Sequence, residues 1–338
     1  MINTVVKLTS PQNIELSFRE EKIEKDKVIV RPTYMSICAA DQRYYQGKRK
    51  KEVLDKKLPL TLIHEAVGRV IYDPTNTFSV DEPVVMIPNT PEVKDEIIKE
   101  NYRRNSKFRS SSMDGFMQNT IIIDKDRLIS IKELNDKIAS QLELISVAVN
   151  AVENFKEKSH SRKETLAVWG DGSVGYITAL VLKKYYPESK IIVVGKRLEK
   201  LSYFSFADQT ILNNEIDGNI KVDHAFECVG GSHSADAINQ IIDIVEPQGC
   251  ISILGVSEDL IGINTRMILE KGLTILGNSR SSYEDFAEAV EILKDKNIEE
   301  YVSNIISEYI EINSLNDINT AFEHDINNDF KTVMKWNL

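Results

Sequence analysis

Cysteine is scarce in this chain, with three in 338 residues. An odd, scattered set (Cys38, Cys228 and Cys250) builds no disulfide framework and implies a reducing compartment. No apolar run approaches the roughly 20 residues that a membrane helix needs. Residues 1–10 lack the basic start and apolar core of a secretory signal. A cytoplasmic location, with no membrane partner, is therefore expected. Positive charge is short too. The net charge is −10, and the longest basic cluster, residues 48–51 with Lys56 and Lys57, is too small to override that field, which argues against nucleic acid as a partner. Low-complexity segments and obvious internal repeats are absent. What remains is ordinary globular composition, 42% hydrophobic and 28% charged, in a length that fits about two domains of roughly 150 residues each.

Residues 165–182 read as strand, tight turn and helix without a break. Gly170-Asp171-Gly172-Ser173-Val174-Gly175 carries the G-x-G-x-x-G spacing that lets backbone approach a pyrophosphate at a helix start. The N–H groups and positive end of that helix favour the anion. A glycine turn alone is weak evidence, but further strands at 190–195, 209–212, 222–228, 250–254 and 272–276 follow it. Helices at 198–206, 234–245 and 264–271 fit between them, with stop signals at 246–249 and at Gly272. The alternation predicts an α/β, doubly wound parallel sheet of the Rossmann kind. Val229, Gly230, Leu254 and Gly255, at strand ends, complete the expected dinucleotide contacts. After the second strand, Gly195-Lys196-Arg197 stands where an NAD-binding chain places an acid on the ribose 2′-hydroxyl. The missing acid and the two cations point together to NADP(H), so Gly195→Asp with Lys196→Ala is expected to invert the preference.

Residues 1–131 read instead as short strands, at 14–18, 27–31, 68–72, 83–87 and 118–123, in an antiparallel, barrel-like arrangement. The tail adds a helix from Ser282 with Phe286, Ala289, Val290 and Leu293 on one face, then strands near 309–312 and at 331–336. Cys38, His64, Glu65 and Glu143 supply the ligand types of a catalytic zinc site. Singly, each has a plainer reading: a small buried hydrophobe for Cys38, a first-turn helix acid for Glu143. His64-Glu65-Ala66-Val67-Gly68 begins like the helical zinc-protease motif, but Gly68 occupies the place of the second histidine.

The segments Ser36-Ile37-Cys38-Ala39-Ala40-Asp41, Leu62-Ile63-His64-Glu65-Ala66-Val67-Gly68 and Leu142-Glu143-Leu144-Ile145-Ser146-Val147-Ala148, followed by the glycine turn, resemble the zinc-dependent medium-chain dehydrogenases of the polyol branch. The order and separations cover nearly the whole chain. The resemblance implies a GroES-like, mostly-β catalytic zinc domain at 1–148, a Rossmann NADP-binding domain at 149–277, and a return to the catalytic domain at 278–338. It implies Cys38, His64 and Glu143 as zinc ligands, with Glu65 beside the metal or on it. Asp41 would hold the ligand imidazole by its other nitrogen, and Tyr44 would stand near the metal. Many relatives carry four cysteines in a lobe after Pro88. Residues 89–114 contain none, so one catalytic zinc per chain and no structural zinc is expected. Ala40 replaces a proton-relaying serine or threonine, which leaves zinc-bound water, Glu65, Ser36 or Tyr44 as the route.

At finer resolution, residues 38–45, Lys107-Phe108-Arg109-Ser110-Ser111, Asp114-Gly115-Phe116-Met117 and 277–282 are similar to the ribulose-5-phosphate reductases, also called ribitol-5-phosphate dehydrogenases. That likeness implies NADPH-dependent reduction of a phosphorylated ketose, ribulose 5-phosphate. The product, ribitol 5-phosphate, is then activated by a cytidylyltransferase, a candidate partner, for teichoic acid or capsule synthesis. Lys107, Arg109, Arg280 and Arg49 are candidates for the substrate phosphate, and a homodimer is the expected assembly. Two other readings stay open: an NAD-dependent dehydrogenase of unphosphorylated polyols such as sorbitol or xylitol, and a non-catalytic nucleotide-binding scaffold.

Overall fold

The structure, a computed structural model, describes residues 1–338. It has two compact units, Met1–Ser146 with Ser281–Leu338, and Val147–Arg280. In chain order the first unit contains β1 (Ile2–Ser10), β2 (Asn13–Glu20), β3 (Lys27–Ser36), α1 (Ala39–Tyr45), α2 (Lys51–Lys57), β4 (Glu65–Tyr72), β5 (Pro83–Met86), β6 (Asn89–Thr90), β7 (Lys107–Phe108), β8 (Ile121–Asp124), β9 (Leu128–Ser130), α3 (Asp136–Ala139) and the start of α4 (Leu142–Lys158). The second holds β10 (Thr165–Trp169), α5 (Ser173–Tyr185), β11 (Lys190–Gly195), α6 (Leu198–Leu201), β12 (Gln209–Leu212), β13 (His224–Glu227), α7 (Ser234–Ile244), β14 (Cys250–Ile253), α8 (Thr265–Lys271) and β15 (Thr274–Gly277). The chain then returns to the first unit through α9 (Tyr283–Leu293), α10 (Lys296–Ser303), β16 (Ile306–Ile312), α11 (Leu315–Asn327) and β17 (Lys331–Trp336).

β3 is the hub of the first unit, in a seven-stranded sheet ordered β16-β17-β3-β4-β5-β9, with β8 also paired to β3. Its alternating apolar residues, Val28 and Val30, are buried with Met35 and with Ile121 and Ile123 of β8. Most pairings are antiparallel. The exception is β16 with β17, which run parallel because α11 between them serves as the crossover that parallel strands require. α11 buries Ile318, Ala321 and Phe322 in the barrel core, and Phe322 stacks on Tyr45 with centroids 4.5 Å apart. Between β6 and β7 a guanidinium organises the cysteine-free lobe. Arg103 donates to the carbonyls of Ile98 at 3.0 Å and Asp95 at 2.6 Å, while the Asp95 carboxylate accepts from the N–H groups of Ile97 and Ile98.

The second unit is a six-stranded sheet ordered β12-β11-β10-β13-β14-β15, parallel throughout. Strands buried on both faces read as continuous apolar runs, as Leu166 to Val168 and Ile191 to Val194 do. The order reverses direction between β10 and β13, the switch point at which such sheets hold ligands. The helix expected over 198–206 ends at Leu201. Beyond it the chain turns so that Phe204 and Phe206 meet the ring of Tyr176 edge-on, at 5.0 and 5.1 Å. No helix is long and apolar enough to cross a membrane.

Candidate active site

Cys38 leaves β3 as the N-cap of α1, and Asp41, three residues on, closes a capping box by accepting from the Cys38 N–H at 3.4 Å. From the other side Ile63 holds a left-handed φ of 71°, a conformation costly for a β-branched residue. Its N–H donates to Asp41 Oδ1 at 3.0 Å, and the chain then delivers His64 and Glu65 side by side at the start of β4. Asp41 is thus a buried hub. Its Oδ2 lies 3.3 Å from His64 Nδ1, and the Ser110 hydroxyl donates to its Oδ1. Although burial opposes ionisation, the His64 charge and these hydrogen bonds hold its carboxyl below the usual range.

With Nδ1 engaged by Asp41, the His64 imidazole has Nε2 left to offer a metal. Cys38, His64 and Glu65 each supply one donor atom to a group within 4.8 Å of one another. The fit to zinc rests on chemistry and on one orphaned atom: thiolate, imidazole and carboxylate are its ligand types, and Glu65 Oε2 is buried without a hydrogen-bond partner. Glu65 Oε1 accepts from Lys331 Nζ at 2.8 Å. That lysine, 6% exposed, comes from β17, and burial disfavours its charge while Glu65 and Cys38 more than restore it.

Glu143, buried on the first turn of α4, lies outside the 4.8 Å group. Burial raises its carboxyl pKa, and the charges of Glu65 and Asp41 add to that rise against the pull of His64 and Lys331. Those charges mark Glu143 as a near neighbour of the donor group, though not a member of it. Tyr44 is buried in the barrel core, with the Arg49 guanidinium 4.9 Å above its ring, so neither joins the donor group. Ser36 Oγ accepts from Gln141 Nε2 at 3.1 Å. Lys107 is exposed and paired with Glu92 at 2.6 Å. Around Arg109 the chain alternates: Phe108 faces His64, with ring centroids 5.4 Å apart, and Ser110 faces Asp41. Arg109 points elsewhere, onto Phe116 and into a cavity it shares with Arg19, Lys22 and Lys27. Arg280, half-buried with a left-handed φ of 59°, ends the second unit.

In the second unit two glycines of the turn, Gly170 and Gly175, are sterically required, whereas Gly172 has open space for a Cβ. A Cβ on Gly175 would stand 1.9 Å from the Gly170 carbonyl oxygen, and Gly170, with φ 125°, would press a Cβ to 2.9 Å from the Cys228 backbone. Gly172 caps α5, whose first residues are Ser173 and Val174. A cavity of about 340 Å³ opens here, lined among others by Gly170, Gly172, Gly195, Lys196 and Val229. Its far wall is tied by Glu227, fully buried at the end of β13. Glu227 Oε1 accepts from the N–H groups of Val229 and Gly230, at 2.9 and 2.8 Å, and Oε2 from that of Gly255 at 3.2 Å. Leu254, below the surface, donates its N–H to the Glu227 carbonyl. Sequence reasoning missed Glu227, Lys331 and Ser110. An acid between Phe226 and Cys228, at the end of β13, was a usable signal, since an unpaired buried carboxylate is rare. Lys331 had none, standing 266 positions from Glu65.

Residues 24–133 match the family described as alcohol dehydrogenase GroES-like domain, and residues 186–295 the zinc-binding dehydrogenases. The chain is 47% identical over the full length of both chains to a ribulose-5-phosphate reductase of Bacillus spizizenii. It is 48% identical to ribulose-5-phosphate reductase 1 of Staphylococcus aureus, over 99% of each. The crystal structure of S. aureus TarJ in complex with NADPH superposes with a TM-score of 0.88 at 44% identity over 100% of each chain. L-idonate 5-dehydrogenase of Escherichia coli, at 17% identity and a TM-score of 0.86 over 99% of this chain and 98% of that one, shares the fold. The chain therefore belongs to the zinc-binding alcohol dehydrogenases, oxidoreductases of CH–OH groups, within the ribulose-5-phosphate reductase group.

Proposed function

We propose that this chain reduces ribulose 5-phosphate to ribitol 5-phosphate with NADPH, the product then being activated as CDP-ribitol for wall-polymer synthesis. The observation that carries the reading is the built donor group of Cys38, His64 and Glu65 in a chain alike over its whole length to ribulose-5-phosphate reductases. Zinc held by those residues, with Glu143 adjacent, would supply a Lewis acid for the ketose carbonyl. NADPH would supply the hydride.

The chain's own residues do the rest. Asp41 fixes the His64 tautomer and ring orientation, and Ser110 and the Ile63 N–H fix Asp41. Lys331 neutralises Glu65, so that a thiolate and carboxylates share one buried place. Ala40 offers no hydroxyl for a proton. Of Glu65, Ser36 and Tyr44, only Glu65 lies in the donor group, which makes its carboxylate the proton route this chain favours. In the second unit Gly170, Gly172 and the first turn of α5 take the pyrophosphate, and Lys196 and Arg197 face the 2′-phosphate.

Following NADPH absorbance with ribulose 5-phosphate tests the reading directly. Rapid oxidation is expected with the phosphorylated ketose, at least about tenfold lower kcat/KM with ribulose itself if one charged contact is lost, and loss of activity with a zinc chelator. Metal analysis should find one zinc per chain. Oxidation of sorbitol with NAD in preference to the ketose phosphate would sink the proposal.

A further inference from the structure

The turn after β11 carries the two cations of the dinucleotide site, yet the residue that shapes it comes from the glycine turn. Asp171 Oδ2 accepts from the backbone N–H groups of both Lys196 and Arg197, each at 2.8 Å. The same side chain closes the space beside Gly195. A Cβ built there would lie 2.8 Å from Asp171 Cβ and 2.7 Å from Leu201 Cδ2. Asp171 Cβ moves only with the glycine-turn backbone, and Leu201 is 2% exposed, so neither neighbour yields easily. The acid missing at 195 is thus excluded by packing as well as absent from the sequence.

We propose that Asp171 is a specificity-determining positioning residue. Its carboxylate draws the 195–197 turn back onto the glycine turn, presents the side chains of Lys196 and Arg197 to a 2′-phosphate, and denies position 195 to an acid that would select a free 2′-hydroxyl. Three placements support it. Lys196 and Asp171 line the same cavity as Gly170 and Gly172. Arg197 is the N-cap of α6, so the bond to its N–H sets where that helix begins. Two backbone donors meet the carboxylate charge, so an anionic residue is accommodated where a dinucleotide phosphate is to bind. The expected inversion by Gly195→Asp with Lys196→Ala is revised accordingly: position 195 takes a side chain only when Asp171 and Leu201 both make room. The proposal rests on the NADPH reading above.

The test uses the full-length protein and titration calorimetry with NADP and NAD, supported by KM for NADPH and NADH. Wild type should bind NADP in preference to NAD. Asp171→Ala should weaken NADP binding about ten- to a hundredfold, the range of one or two charge-assisted contacts, and raise KM for NADPH far more than for NADH. Asp171→Asn, which keeps an acceptor in place, should lose less. Gly195→Asp alone should weaken NADP binding without producing NAD preference, whereas Gly195→Asp with Asp171→Gly and Leu201→Ala should produce it. If Asp171→Ala keeps the wild-type ratio within about twofold, or Gly195→Asp alone inverts the preference, the assignment is overturned. Should Asp171→Ala fail to fold, the two Gly195 variants decide alone. Wild type without any preference would overturn the underlying cofactor reading instead, an outcome distinct from either.

Discussion

The two units solve the problem of holding charge with different materials. Around Cys38 the barrel unit assembles buried ionisable side chains, Asp41, His64, Glu65, Glu143 and Lys331, with Asp41 paired to His64 and Glu65 to Lys331. The sheet unit builds its site mainly from backbone: glycines with no room for a Cβ, a helix start, and loops pinned through their N–H groups by Asp171 and Glu227. A site of mutually compensating charges fails when one member is removed. A site of backbone fails when something is added.

Deleting a donor should give the largest effect. Cys38→Ser is expected to lower kcat by about 1,000-fold, the loss of several kcal/mol of charge stabilisation, with metal content falling in parallel. NADP affinity, a property of the other unit, should stay within about twofold. A tenfold loss of NADP affinity in this variant would show that the contrast between the units is false.

Next in size is the buried ion pair. Lys331→Met strands the Glu65 carboxylate at a fully buried position, and removing one partner of such a pair costs about 3–5 kcal/mol. The denaturant midpoint of the metal-free chain should drop accordingly, and Glu65→Gln in the same background should recover much of it. If the single variant unfolds like wild type, Glu65 has another compensating partner.

The addition experiment is smaller but equally sharp. Gly175→Ala places a methyl where the Gly170 oxygen already lies, 1.9 Å away, so the glycine turn must open. Overpacking of this kind costs about 1–3 kcal/mol, up to roughly a hundredfold in dinucleotide affinity. Zinc content should be unchanged, the reverse of the pattern for Cys38→Ser.

The same contrast explains what could be read before the fold was seen. Gly170, Gly172 and Gly175 lie within six residues, and the strand at 190–195 agrees to the residue because a buried parallel strand is an apolar run; the edge strand at 209–212 agrees too, although only Ile211 in it is buried. The candidate metal ligands could be grouped from their chemistry, but only resemblance tied them into one site, since nothing in the local pattern at Cys38 announces a partner at His64. β1, α2, α10 and α11 were not anticipated. α2 buries no residue, so no apolar stripe marked it, and Arg103 works through carbonyls that any sequence supplies. Asp171 was read as a dinucleotide contact. Its carboxylate turns inward to Lys196 and Arg197, a role visible only once two strands lie side by side.

The smallest effect is one of pH, with opposite sign in the two units of the metal-free chain. His224, in the sheet unit, accepts from the Cys250 N–H at Nδ1, 3.0 Å away, and donates from Nε2 to the Arg162 carbonyl at 2.9 Å. A second ring proton would break the first of these bonds. Burial first, then the nearby His160 and Lys163, lowers its pKa to about 4. The unfolded chain therefore protonates here before the folded one, and the stability this residue contributes is present above pH 6.5 and lost as pH falls toward 4. Glu143 in the barrel unit runs the other way. Its raised pKa favours the folded form at acid pH, fully below its ordinary 4.5, and that contribution is lost as pH rises above it. Acidifying from pH 6.5 to 4.5 should loosen the sheet unit and tighten the barrel. Native-state hydrogen exchange, corrected for intrinsic rates, reads both, at β10 and at the start of α4. His224→Gln should flatten the first trend and leave the second in place. A parallel loss of protection in both units on acidification would break the comparison, because it would mean that one cooperative transition governs the whole chain.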